Sequence, residues 1–226
     1  MRSSGFRFGV TAFIVLAATA AAGALVAALP SARDALSAHS VEFAVLLGVT
    51  LVLQTSSIRV PGRGSLSASS IGILACAFAL GAGAAMVIAV AAALAQWVRR
   101  RGLLHRAVFD AANFALAAGA GGACFALLSP GGSVQPEHLV AAALAGAAFC
   151  AVNTGLLCVA MSLAESAAVL TVWRDRFSWA TPHYLIAGPL ALASVLAYQH
   201  VGLLGFAVFG LPHAAALVAH RRLALA

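Results

Sequence analysis

The stretch that decides the fold runs from Leu66 to Arg101, LSASSIGILACAFALGAGAAMVIAVAAALAQWVRRR. It is almost wholly apolar up to Gln96 and ends on three arginines. A run of this length exceeds one membrane-crossing helix, which takes about 20 apolar residues. Gly81-Ala82-Gly83 lies near its middle, so two helices turning back at that break are predicted. A hairpin that is hydrophobic all round belongs in lipid, with Arg99, Arg100 and Arg101 at the water boundary.

The remainder of the chain carries the same pattern. Its 226 residues are 63% hydrophobic and 8% charged. A soluble domain carries roughly 25% charged residues, so this chain could not cover a water-facing surface. The apolar runs predict an all-α, polytopic transmembrane bundle, one integral membrane domain over residues 1–226. About eight spans are expected, at roughly 8–29, 41–57, 66–81, 83–98, 107–128, 139–162, 184–199 and 202–219. If either the third and fourth or the seventh and eighth form one long or re-entrant element, the count falls to seven or six. The first run is longer than the apolar region of a secretory leader, so it is read as a retained helix.

Residues 165–182 differ from the rest. Val169, Val172, Trp173 and Phe177 share a helical face, with Arg174, Asp175 and Arg176 largely off it. This predicts a short amphipathic helix at the membrane interface, with Trp97, Trp173 and Trp179 as interfacial anchors.

The net charge is +7, and every basic residue other than histidine is arginine. With the N-terminus inside, all arginines but Arg33 fall on inner segments. The expectation is a bacterial inner-membrane protein with both termini cytoplasmic and with anionic lipid contacts. Arginines dispersed between apolar runs do not form a nucleic-acid surface, so no nucleic-acid partner is expected. Cys76, Cys124, Cys150 and Cys158 all lie in apolar runs without C-x-x-C spacing, and read as small buried hydrophobes.

Polar side chains in hydrocarbon are costly unless they face the bundle interior and find a partner. Those inside the spans include Asp110, Asn113, Asn153, His213, Gln54 and Gln96. Asp110 and Asn113 are three apart and share a face of the fifth span. Asn153, on the antiparallel sixth span, falls at a similar depth. A polar cluster in the cytoplasmic half is therefore expected, centred on Asp110, Asn113 and Asn153, with His213 and Gln54 near it. It serves either as a ligand site or as interhelical hydrogen bonding that fixes packing; the packing reading is preferred. The Gly119, Gly122 and Ala123 face is read as close helix packing.

The chain carries no phosphate loop, H-E-x-x-H pair or G-x-S-x-G elbow. No metal site, no cofactor and no enzymatic activity are expected.

Several short motifs carry a resemblance. Gly64-Ser65-Leu66-Ser67 opens the long apolar hairpin, and Arg99 to Arg101 close it. Val108-Phe109-Asp110-Ala111-Ala112-Asn113-Phe114-Ala115-Leu116 follows, then Val152-Asn153-Thr154-Gly155-Leu156-Leu157 and Ala187-Gly188-Pro189-Leu190-Ala191. This order resembles the N-terminal multi-spanning, sensor-like membrane domain of bacterial signalling proteins with HD-GYP phosphohydrolase, diguanylate cyclase or histidine kinase output domains. Asp110 stands where that pattern has Asn, and Asn113 where it has Gln. The sequence ends at Ala226, so the expectation is such a domain without its output module.

The resulting reading is a non-enzymatic membrane sensor or scaffold module with a cytoplasmic signalling partner; self-association is permitted by its small-residue faces. The alternative is a small transporter or substrate-binding membrane subunit. A pocket open to one side and lined by Asp110, Asn113 and Asn153 favours ligand binding or transport. A closed, packed bundle favours a scaffold or sensor.

Overall fold

The computed structural model describes residues 3–60, 64–131 and 134–208. Within them the chain is helical except for one small ribbon. Five helical segments are long and apolar enough to cross a membrane: Gly9–Ala38, Ala82–Arg100, Leu104–Leu128, Pro136–Glu165 and Val169–Val201. Two shorter apolar helices, α2 (Ser40–Thr55) and α3 (Ser69–Leu80), complete the core.

α1 (Ser3–Ala38) runs past the predicted end at residue 29 and carries Pro30 inside it. Only 11% of its most apolar window is buried, so most of this helix faces outward. Between α2 and α3 lies an antiparallel ribbon of β1 (Ile58–Val60) and β2 (Gly64–Leu66), with Ile58 opposite Leu66 and Val60 opposite Gly64. Pairing of Leu66 in this ribbon delays the third helix to Ser69. Ser67 Oγ accepts the Ser69 backbone N–H at 3.1 Å, satisfying a donor of the first turn. At 12 residues, α3 spans about 18 Å at 1.5 Å per residue, short of a hydrocarbon core of about 30 Å.

α3 ends at Gly81, whose φ of 91° lies where side chains other than glycine are strained, and α4 (Ala82–Arg100) turns back from it. The predicted break is therefore a real reversal. α4 closes on Arg101 in the left-handed conformation, its N–H donating to Trp97 O at 2.8 Å. α5 (Leu104–Leu128) packs between α4 and α6 (Leu139–Glu165), with α1 on its outer side. α3 is enclosed by α2, α4, α5 and α8 (Thr181–Val201), and ten of its 12 residues are buried.

The interfacial segment is not one regular helix. α7 covers only Val169–Val172, followed by a π-turn at Trp173–Phe177 and a 3-10 turn at Ser178–Ala180 that leads into α8. Arg174, Asp175 and Arg176 are exposed as predicted, but of the predicted apolar face only Val172 is buried; Val169 and Trp173 are exposed and Phe177 half-buried, because the π-turn breaks the helical periodicity. α8 ends at Gly202 (φ 66°), and α9 (Leu204–Val208) folds back until Phe206 stacks on Tyr198 at 4.4 Å. The predicted eighth span lies mostly beyond residue 208, outside the described residues.

Small side chains let the helices approach closely. Ala84, Ala89, Ala115, Ala118, Ala142 and Ala187 are each 0% exposed. A Cβ on Gly122 would stand 2.7 Å from Ala82 Cβ, so the predicted close packing occurs at Gly122, whereas Ala123, predicted to share that face, is exposed. α6 and α8 cross backbone to backbone: a Cβ on Gly146 would lie 2.7 Å from Tyr184 O and 3.1 Å from Gly188 N. Away from the arginine-bearing end, the rings of Phe78 and Phe125 stack at 3.9 Å, with His138 edge-on to Phe125.

Candidate functional site

The helices place several polar side chains at one end of the bundle, the end that carries Arg99 to Arg101, Arg106 and Arg174. There they surround a cavity of about 240 Å³. Asn113, on α5, is 1% exposed and Asn153, on α6, is 2% exposed. Asn113 Nδ2 donates to Asn153 Oδ1 at 2.8 Å, and Asn153 Nδ2 donates to the Tyr184 hydroxyl at 3.0 Å. The Gly146–Gly188 crossing makes this chain possible. Asn153 lies two turns from Gly146 and Tyr184 one turn from Gly188, so the close backbone approach brings both side chains to one level.

This amide chain leaves polar capacity unused. Asn113 Oδ1 has no hydrogen-bond partner among the described residues, and neither has Ser70 Oγ in the first turn of α3. Both residues line the cavity. A buried polar group without a partner costs about 1–3 kcal/mol, so a group that reached these atoms would relieve that penalty.

The mouth carries charge. Asp110 is one turn before Asn113 on the same face, lines the cavity and is exposed. The guanidiniums of Arg100 and Arg106 both act on it electrostatically. Arg100, the last residue of α4, also lines the cavity. With the Gln96 amide turned to present its oxygen, that oxygen accepts from Arg100 Nη2 at 2.6 Å and Nε at 2.8 Å. Gln54 Oε1, on the opposite wall, accepts from Ser67 Oγ at 2.9 Å. The Ser67 carbonyl in turn lies 3.2 Å from His183 Nε2, tying the ribbon's exit to α8. The apolar part of the wall is aromatic: Phe149 and Tyr184 stack at 6.1 Å, and Phe114 and Phe177 line the same space.

Four of the five residues singled out in the sequence thus share one cavity: Asp110, Asn113, Asn153 and Gln54. His213 lies outside the described residues. Trp97, Trp173 and Trp179 lie at the same end of the bundle, where the Trp97 indole donates to Gly102 O at 2.9 Å and the Trp179 indole to Arg176 O at 2.8 Å. Trp173 is 36% exposed and lies over α6 beside Thr154 and Cys158. Sequence reading missed Ser70, Arg100, Tyr184 and Phe177. The run Ser67-Ala68-Ser69-Ser70, polar within an apolar stretch, was a signal that could have found the first of them. No group of three His, Cys, Asp or Glu side chains that could hold a metal occurs among the described residues.

Fold and site together define a helical membrane protein with a polar cavity at one end and a packed opposite end. The profile of MASE9, a family of membrane-associated sensor domains, matches residues 5–218. The chain belongs to the MASE9 family. It matches no curated protein and no solved structure.

Proposed function

We propose that this chain is a non-enzymatic sensor module of bacterial signalling that answers to a small molecule in the polar cavity. The observation that carries the reading is the cavity itself, lined by Asp110, Asn113, Asn153 and Arg100. Membership of a membrane-associated sensor family supports it. A packing cluster satisfies its own hydrogen bonds; here Asn113 Oδ1 and Ser70 Oγ have no partner among the described residues, on two side chains of the cavity lining.

In this reading the arginine-bearing end faces the cytoplasm, both termini are inside, and the chain is a multi-pass protein of the inner membrane. The arginine distribution supports that orientation. The exposed arginines around the cavity mouth then meet anionic lipid and a cytoplasmic signalling protein, of the HD-GYP, diguanylate cyclase or histidine kinase kind that the sequence motifs suggest. Transport is the second reading, since it uses the same cavity. Against it stands the opposite end, where the described residues pack through the Phe78–Phe125 stack.

The test compares the wild-type chain with Asn113→Ala and Asn153→Ala in cells lacking the native copy, reading cyclic di-GMP and kinase phosphorylation beside thermal stability. The expected result is folded variants that fail to restore the output. If the variants lose only stability while the output is unchanged, the sensor reading fails. Solute uptake by vesicles holding the purified chain would replace it with transport.

A further inference from the structure

A second concavity lies on the lipid-facing side of the bundle and has a different chemistry. It is a groove of about 260 Å³ between α1, α4 and α5, and every residue lining it is apolar. Ala21, Ala107 and Ala112 are buried and form its floor, while Leu94, Leu104 and Val108 stand exposed along its rim. On α4 the lining runs from Val90 to Trp97 and on α5 from Leu104 to Ala112, about 10–12 Å along the helix axes. That is most of one leaflet, half of a hydrocarbon core of about 30 Å. A methylene group displaces about as much as a water molecule, about 30 Å³, so the groove takes about nine of them in a row. A helix about 10 Å across would need on the order of 800 Å³ over the same depth. The groove therefore suits one acyl chain better than a helix.

Every phospholipid offers such a chain, so apolar contact does not choose among them. The choice comes from the α4–α5 turn, where the groove meets the arginine-bearing end of the bundle. Residues 96–113 hold four arginines, Arg99, Arg100, Arg101 and Arg106, against one acid, Asp110. Three of the four are engaged within the fold. Arg99 donates to Ser57 Oγ at 3.4 Å, Arg100 lies against Gln96, and Arg100 and Arg106 both act on Asp110. The exposed side chain of Arg101 makes no hydrogen bond or ion pair among the described residues. It lies one turn beyond Trp97, whose indole lines the groove and is held by its bond to Gly102 O at 2.9 Å. The first turn of α5, at the same level, has neither an acid nor a side-chain cap, so its backbone dipoles also favour a negative group there.

We propose that this groove seats one anionic phospholipid, an acyl chain along Ala21, Ala107 and Ala112 and the headgroup against Arg101. This narrows a diffuse contact with anionic lipid to one defined seat. It lies outside the polar cavity and does not depend on what that cavity binds.

The test uses the full chain with Trp173→Phe and Trp179→Phe, which leaves Trp97 as its one tryptophan. The protein is placed in vesicles of phosphatidylcholine and phosphatidylglycerol, with bromine on the chains of one lipid or the other; brominated chains quench an indole they touch. Phosphatidylglycerol is expected to quench Trp97 with about fivefold preference over phosphatidylcholine, the worth of one arginine beside anionic lipid. Arg101→Gln should remove most of that preference, while Arg174→Gln, exposed and paired with Asp175, leaves it unchanged. Ala22→Phe, at an exposed position of the groove lining, should reduce quenching by both lipids. Native mass spectrometry of the chain with all its tryptophans measures the same preference: phosphatidylglycerol is retained over phosphatidylcholine, and Arg101→Gln abolishes the difference. The proposal is overturned if the two lipids quench alike, if Arg101→Gln keeps the preference in either measurement, or if Ala22→Phe leaves quenching unchanged. It is equally overturned if neither lipid quenches Trp97, the result expected if a second copy of the chain covers the groove.

Discussion

The hydrogen-bonded chain from Asn113 through Asn153 to Tyr184 makes a quantitative prediction. Asn153→Ala removes two contacts at once, of 2.8 and 3.0 Å, whereas Asn113→Ala removes only the first. Side-chain hydrogen bonds between membrane helices contribute about 0.6 kcal/mol on average and up to about 1.7. Asn153→Ala is therefore expected to cost about 1–3 kcal/mol and Asn113→Ala about 0.6–2. Because Asn113 already has one unpartnered atom, deleting it also removes a penalty, which pushes its cost toward the lower bound. The double variant should cost less than the sum by the worth of the shared bond, about 0.6–1.7 kcal/mol. Reversible unfolding in mixed micelles, run as a double-mutant cycle, measures all three. Equal costs for the two single variants, or a coupling indistinguishable from zero, would refute the chain of contacts as the basis of the site's geometry.

Other consequences follow from the close approaches in the bundle. Gly146→Ala should destabilise by about 1–3 kcal/mol in the same unfolding assay, because its Cβ would meet the α8 backbone. Gly155→Ala, on the same helix with nothing within 4 Å of the added carbon, should be neutral or stabilising by up to about 1 kcal/mol. Gly81→Ala forces a side chain to φ 91° with ψ 165°, a region essentially open to glycine alone, and should cost about 1–3 kcal/mol of thermal stability. Tyr198→Phe removes the 2.9 Å bond to Glu42 that joins the end of α8 to the start of α2, with a small loss of thermal stability expected on unfolding. Cys76 is 0% exposed, so a maleimide should label it only after unfolding, as mass spectrometry would show.

Much of the fold was legible because lipid imposes simple rules. Runs of apolar residues became helices, and the break at Gly81 became a reversal, since it adopts a positive φ that other residues avoid. Two boundaries were not legible. α1 continues beyond Leu29 because helix geometry does not stop where hydrophobicity does, and the polar Ser31–Asp34 segment stays helical past Pro30. α3 starts late because Leu66 is taken by strand pairing with Ile58, a non-local contact no local pattern announces. In the site, the depth of Asn113 and Asn153 along antiparallel helices was enough to bring them together on paper. Tyr184 and Ser70 required knowing which helices touch, and that depends on α6 crossing α8 and on the burial of α3. Arg100 was read as a marker of the membrane boundary, and it is also a wall of the cavity.

The crossing of α6 and α8 also shows where the site is vulnerable. Gly146 and Gly188 bear no functional group and touch no ligand space, yet they set how near the Tyr184 hydroxyl comes to the Asn153 amide. The geometry of the cavity is fixed there by atoms that are missing. A mutational survey that ranks positions by the chemistry of their side chains would pass over both glycines. A survey that ranks them by the room left for one more carbon would put them first.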